Sequence, residues 1–349
     1  MSCNYTCGHF NTKWKVGSSR GGGSSPVKWK KTVLSADKDA LFFVDVSSTM
    51  GIRMQREIGK GSFGRVRIGK ETTHHSGDRS VAVKGAFDEA KEEELLNEIT
   101  TLHALGPHFN IVQMLYSART IDKEKKIFLV EKYCHYGGCD IYLQKNKMSF
   151  FDNGLDSSID HNRLLLKICY NVASAMAYLE TKFINHGDVC LQNVLLAGYK
   201  INDGIELVAK ISDFGSSTMS GTSDSYKKFR NKTYPTLLME NEASDVYCFG
   251  TLVWEVISFG QAPLPVTNEN DLFIDTHQDI PPCPTEIKSL LEFGYENFYR
   301  DISRMCMNDD KTMRAEFKDV LKFIYHQLTQ DEKDQYDTMA EEDSQQIEM

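Results

Sequence analysis

The sequence predicts an α+β fold of two lobes, a small β-rich lobe followed by a larger helical one. Three observations carry that reading. Residues 52 to 133 hold short β-rich runs bounded by polar turns, a single helical stretch interrupts them, and from 139 to 326 apolar residues recur at helical spacing. A length of 349 residues fits two domains or one two-lobed unit with a cleft between its halves.

The elements follow in chain order. Residues 1–33 are rich in Gly and Ser, with Gly21-Gly22-Gly23-Ser24-Ser25-Pro26, and bear six basic side chains and no acid. Such a segment cannot bury enough apolar surface to offset its ordering entropy, so it reads as a disordered basic arm, and 34–51 as the segment leading into the fold. Arg65-Val66-Arg67-Ile68 alternates as a half-buried strand does, and Val81-Ala82-Val83 and Ile127-Phe128-Leu129-Val130 are compact β-rich runs. Between the last two, Leu95, Leu96, Ile99, Leu102 and Leu105 predict a helix over Glu93 to Leu105. Leu165, Ile168, Cys169, Val172, Met176 and Leu179 share a face of a second helix over Leu164 to Leu179. Leu252 to Ile257, Ile287 to Phe293 and Phe317 to Leu328 read as further helices. Residues 327–349 carry eight acids and one Lys and are expected to form an acidic tail, disordered from 331.

Charge and cysteines narrow the classes. The net charge is −9, the basic arm and acidic tail nearly cancel, and the region between them remains acidic, which argues against a phosphate-binding face for nucleic acid. The arm alone offers a weak contact to an anionic membrane. No apolar run is long enough to span a bilayer, and the first twenty residues lack the apolar centre of a signal peptide. Nine irregularly spaced cysteines fit reduced thiols and a cytoplasmic setting; Cys3, Cys7 and His9 lack a fourth ligand at zinc-finger spacing.

Four motifs carry chemistry. Gly59-Lys60-Gly61-Ser62-Phe63-Gly64 is followed by strand-like sequence, so its glycines sit at a hairpin tip, where backbone N–H groups can approach phosphate oxygens; a plain tight turn would look the same. Lys84 closes an apolar strand, as a snorkelling edge residue or as a phosphate clamp held by Glu98 on the following helix. His186-Gly187-Asp188 precedes Asn193 by a short loop, and Asp213-Phe214-Gly215 forms a turn. Each is ordinary alone. In this order they supply a phosphate cover, a clamp, a carboxylate base and two oxygen ligands for a metal, the parts that phosphoryl transfer needs.

On these residues the chain resembles the eukaryotic protein kinases over 52–326, with an N-lobe of 52–133 and a hinge and C-lobe of 134–326. The resemblance implies the bilobal kinase fold, with a small antiparallel sheet and one helix above a mostly helical lobe, and ATP and Mg2+ as cofactors. It further implies Gly59, Gly61, Ser62, Phe63 and Gly64 over ATP, Lys84 on its phosphates and Glu98 as partner of that lysine. Asp188 resembles the catalytic aspartate, and Asn193 and Asp213 the metal ligands. Val66, Ala82 and Leu195 fall beside the adenine, with Val130 as gatekeeper and Glu131 as first hinge residue. Leu102, Met114, His186 and Phe214 resemble the regulatory spine, and Asp245 the aspartate that anchors the catalytic loop.

The subgroup resembles receptor-type tyrosine kinases. Cys190 stands where Ser/Thr kinases place Lys, Tyr226 resembles an activation-loop tyrosine, and Pro235 the proline under the substrate shelf. A tyrosine-bearing protein substrate and a signalling role are implied. Three departures accompany the likeness. Gly187 replaces the usual Arg; Glu242, expected to pair with Arg314, is left from a reduced Ala-Pro-Glu motif; and only Ala243 and Ser244 separate Glu242 from Asp245. An ATP-binding pseudokinase scaffold, or a Ser/Thr or dual-specificity kinase, is the alternative reading.

Overall fold

The structure is a computed structural model that describes residues 31–32, 43–46, 52–60, 64–73, 77–86, 89–120, 126–147, 163–201, 204–219, 243–261, 294–308 and 310–348. Its small lobe is a seven-stranded sheet ordered β1-β2-β6-β7-β5-β4-β3. These strands are β1 (Lys31–Thr32), β2 (Phe43–Val46), β3 (Ile52–Lys60), β4 (Gly64–Thr73), β5 (Gly77–Ala86), β6 (Met114–Thr120) and β7 (Ile127–Lys132). β3, β4, β5, β7 and β6 pair antiparallel, as the polar turns and alternating runs require. The segment before residue 52 extends this sheet, because β2 pairs parallel with β6.

Helix α1 (Glu89–Leu105) crosses the sheet between β5 and β6 and begins four residues earlier than its apolar spacing predicts. Leu95, Ile99, Leu102 and Leu105 are buried on one side of it, and Glu98 lies in the same stripe. A helix turns 100° per residue, so a carboxylate three residues after Leu95 and one before Ile99 must face inward.

The larger lobe is built on α3 (Leu164–Thr181) and α4 (Ala243–Ile257), with α2 (Cys139–Asn146), α5 (Tyr295–Cys306) and α6 (Phe317–Tyr325) around them. Here the long hairpin of β10 (Val194–Ile201) against β11 (Gly204–Ile211) delivers the chain to residues 212–219; the short β8 (Gly137–Gly138) pairs with β10, and β9 (Ile184–Asn185) with β12 (Thr218–Met219). One core cluster runs through both lobes, from Leu95 and Leu129 above to Phe249 and Val320 below. The segment predicted helical over 287–293, and most of the arm, lie outside the described residues.

The acidic end differs from expectation. Residues Gln330–Glu348 form a helix, α7. Thr329 and Glu332 cap it reciprocally: the Thr329 N–H donates to the Glu332 carboxylate (2.7 Å) and the Glu332 N–H to the Thr329 hydroxyl (3.2 Å). Met339 is buried with Phe109 and Val208, and Tyr336 packs against Tyr170 at 4.9 Å. Overall acidity concealed a narrow apolar and aromatic face that suffices for docking.

Phe249 on α4 is fully buried and meets Phe317 edge-on at 5.8 Å. Phe249→Ala is expected to cost about 3–5 kcal/mol by leaving a cavity, measured as a lower midpoint in urea unfolding.

Candidate active site

The site lies where β5, α1, the 184–193 loop and the 212–217 turn converge. Lys84 Nζ lies 2.6 Å from Glu98 Oε2 and 3.1 Å from Asp213 Oδ1, and Lys84 and Glu98 are both buried. Burial pushes the Lys84 ammonium down, but Glu98, Asp213 and Glu131 outweigh it and hold it above the ordinary lysine range. Glu98 is pushed up to about 7, first by burial; Lys84 and the Phe214 backbone N–H oppose this.

Register corrects one expectation. Val83 pairs with Val130, whereas Ala82 pairs with Glu131 and Lys84 with Leu129. Opposed residues of an antiparallel pair share a face, so Glu131 lies on the face of Ala82 and Lys84. Val130 lies on the other, packed with Val81, Val83, Tyr116 and Phe128. A one-residue offset exchanges the faces. Glu131, and not Val130, therefore lies on the face of Lys84, where the gatekeeper side chain was expected. Glu131 is nearly buried, and among the described residues its carboxylate makes no hydrogen bond or ion pair. Burial, then Glu98, pushes it up to about 8.

The loop bearing Asp188 is held from α4. Asp245 accepts the N–H groups of His186 (2.6 Å) and Gly187 (3.0 Å), and Glu255 accepts that of Leu191 (2.9 Å). The Asp188 N–H donates to His186 Nδ1 (3.3 Å), which leaves Nε2 to carry the proton toward the Ser212 carbonyl (3.1 Å). Asn193 Nδ2 donates to the Asp188 carbonyl (2.8 Å) and Oδ2 (3.0 Å), so the two expected functional side chains are locked together.

Gly187 has φ +80°, and a Cβ there would lie 2.5 Å from the Ser216 carbonyl oxygen. In this backbone a side chain at 187 would be strained and would meet the Ser216 carbonyl, so glycine suits the position. Asp213 has φ +66°, and the following Phe214 ring meets His186 edge-on at 4.9 Å. Leu102 and Phe214 both belong to the main core, and Met114 packs against it.

Asn97 was not anticipated. From α1 its Nδ2 donates to the carbonyls of Gly215 (3.1 Å) and Ser217 (2.9 Å), tying the helix of Glu98 to the turn after Asp213. Its adjacency to Glu98 was the only signal. Glu255 was visible only as an acid inside an apolar helix. Of the other expected residues, Gly59 faces Val66 across β3 and β4, Ala82 is buried, and Leu195 pairs with Gly138. Arg314 donates to the Asn308 carbonyl (2.8 Å) and stacks over Tyr247 at 4.9 Å. Gly61, Ser62, Phe63, Tyr226, Pro235 and Glu242 lie outside the described residues.

The donor set fits a magnesium nucleotide. Asp213 offers carboxylate oxygen and Asn193, with its nitrogen engaged, an amide oxygen, both suited to a hard cation. Among the described residues no cluster of three or more His, Cys, Asp or Glu could hold a metal ion.

Comparison with known proteins agrees with this geometry. The sequence profile of the family described as "Protein tyrosine and serine/threonine kinase" matches residues 52–324. A fibroblast growth factor receptor of Hydra vulgaris is 30% identical over 223 residues, covering 60% of this chain and 26% of the receptor. The chain thus spans about a quarter of that relative's length. Among the described residues no helix is long and apolar enough to cross a membrane.

The carboxyl of Glu131 binds its proton more tightly folded than unfolded, so between pH 4.5 and about 8 the native state loses stability as pH rises. Glu131→Gln removes this loss. Its stability relative to wild type is expected to rise from pH 5 to pH 8 by on the order of 2 kcal/mol in urea titrations. A difference that does not vary with pH would refute the assignment.

Proposed function

The chain belongs to the protein tyrosine and serine/threonine kinase family, and from that premise we propose that it is an ATP- and Mg2+-dependent protein-tyrosine kinase acting in cytoplasmic signalling. The observation that carries the reading is the joint placement of Lys84, Glu98 and Asp213 beside the Asp188–Asn193 pair. Likeness to a receptor of the tyrosine kinase group, and Cys190 in place of lysine, support tyrosine as the acceptor. The six described cysteines are buried and none of them is in a disulfide, in keeping with reduced thiols. The catalytic unit is 52–326.

In this reading, Lys84, oriented by Glu98, binds the phosphates, and the glycine loop from Gly59 to Gly64 covers them. Asp213 and Asn193 would hold Mg2+, which neutralises the charge that develops on the phosphates. Val66, Ala82 and Leu195 enclose the base. Asp188 accepts a hydrogen bond from the tyrosine hydroxyl and aligns it with the γ-phosphorus. The phenolic oxygen forms the new P–O bond, the bond to ADP breaks, and the phenolic proton passes toward Asp188.

A second reading is favoured by one feature, the two-residue spacing between Glu242 and Asp245. In that reading the chain binds ATP as a scaffold without transferring phosphate. Incubation of the purified protein with ATP, Mg2+ and a tyrosine polymer decides between them. Phosphotyrosine is expected from wild type and not from Asp188→Asn; ATP binding without transfer would establish the scaffold. Because Gly187 supplies no guanidinium to a phosphorylated loop, Tyr226→Phe is expected to change the rate by less than about tenfold, or 1.4 kcal/mol.

A further inference from the structure

We propose that Asp343 on α7 is a positioning residue for the active site, acting as the counter-charge that fixes the junction between the lobes; this rests on the kinase reading above. Asp343 is buried. Its Oδ1 accepts from Lys132 Nζ (2.8 Å) and Tyr199 Oη (2.9 Å), and its Oδ2 lies 3.7 Å from Lys210 Nζ. Lys132 ends β7 of the small lobe, whereas Tyr199 and Lys210 lie on β10 and β11 of the large one. One carboxylate from a terminal helix therefore spans both lobes.

The path from Asp343 to the site is short and made of named bonds. Lys210 is buried, donates to the Phe109 carbonyl and lies 4.7 Å from the centre of the Phe109 ring. Asn110, the next residue, donates to the Ala209 carbonyl (3.2 Å) and accepts from the Tyr336 hydroxyl of α7. Backbone bonds from Ile211 N–H to the Asn110 carbonyl (2.8 Å) and from Val112 N–H to the Ile211 carbonyl (2.9 Å) join this segment to the end of β11. The segment 106–113 follows α1, which carries Glu98, and β11 leads within two residues to Asp213. Both carboxylates that meet Lys84 thus hang from a junction whose buried cation is neutralised by α7.

An uncompensated buried cation is destabilising and relaxes by moving toward water. Loss of the Asp343 charge is therefore expected to loosen Lys210 and, with it, the segment after α1 and the end of β11. Burial opposes the charge on Asp343, but Lys210 and Lys132 hold its carboxyl below the usual range. The docked helix coexists with a formed Lys84–Glu98 pair, as a supporting contact requires.

The test uses the full chain with Asp343→Asn, which keeps size and removes charge, and Asp343→Glu, which restores it. For Asp343→Asn, KM for ATP is expected to rise at least fivefold, and amide exchange of residues 95–112 to quicken at least tenfold. Asp343→Glu should lie nearer wild type in both. A purely structural role would reduce the folded fraction and leave KM unchanged. Should Asp343→Asn not fold, Lys132→Gln, which removes a partly exposed partner, is expected to shift KM and exchange in the same direction by a smaller factor. Unchanged KM and exchange, or a gain in activity, would overturn the proposal. If wild type transfers no phosphate, the kinase reading fails, while the exchange measurement still decides the role of Asp343.

Discussion

The rest of the site depends on one buried carboxylate. Asp245 emerges from α4 beneath the Asp188 loop and takes the two N–H groups of His186 and Gly187. Burial pushes its carboxyl up, and these two donors oppose that shift. Each N–H would otherwise be an unmet donor inside the protein, costing about 1–3 kcal/mol. The bidentate contact therefore selects the loop conformation, including the positive φ at Gly187. That conformation sets Asp188 against Asn193 and turns His186 toward Ser212 and Phe214. A chain of contacts thus runs from a helix of the large lobe to the residue that touches Lys84.

Around Lys84 the balance is one cation against Glu98, Asp213 and Glu131. Full ionisation would leave two negative charges in a nearly buried space. Burial first, and the negative neighbours second, raise the affinity of Glu98 and Glu131 for protons. Bringing a divalent cation to Asp213 would relieve it differently, by favouring the ionised forms. The electrostatic state of the cleft is consequently coupled to whatever occupies it.

The two-lobed plan was legible because its elements are long and strongly patterned: the buried run around Lys84 and the helix of Glu98 each have one solution. The Lys84–Glu98 pair was legible from the motifs that carry the two residues, whereas the hydrogen bond between Asp188 and Asn193 was not anticipated. Glu131 was not. Strand parity decides its face, and a valine beside a glutamate invites the opposite choice, since burying a carboxylate looks costly. Glu255 and Asn97 were hidden for a related reason: their partners are backbone N–H and C=O groups, which a sequence does not display. Helix α7 carried a readable signal in Thr329-Gln330-Asp331-Glu332, a capping box, but its charge outweighed that signal.

The docking of α7 follows from where its charges fall. In its first turn Asp331 and Glu332 meet the positive end of the helix dipole. Arg163, just before α3, reaches Glu332 at 3.0 Å and also donates to the Gln327 carbonyl, which secures the start of the helix. Tyr336, Met339 and Asp343 then recur at helical spacing on one face. Two supply apolar and aromatic contact, and the third brings a negative charge to two lysines. The remaining acids can stay in water. An acidic segment is thus compatible with a specific docked helix when one inward acid meets two lysines, Lys210 and Lys132, and the outward acids face solvent. Net charge describes the exposed faces of α7, whereas its position is decided by the few residues that composition averages away.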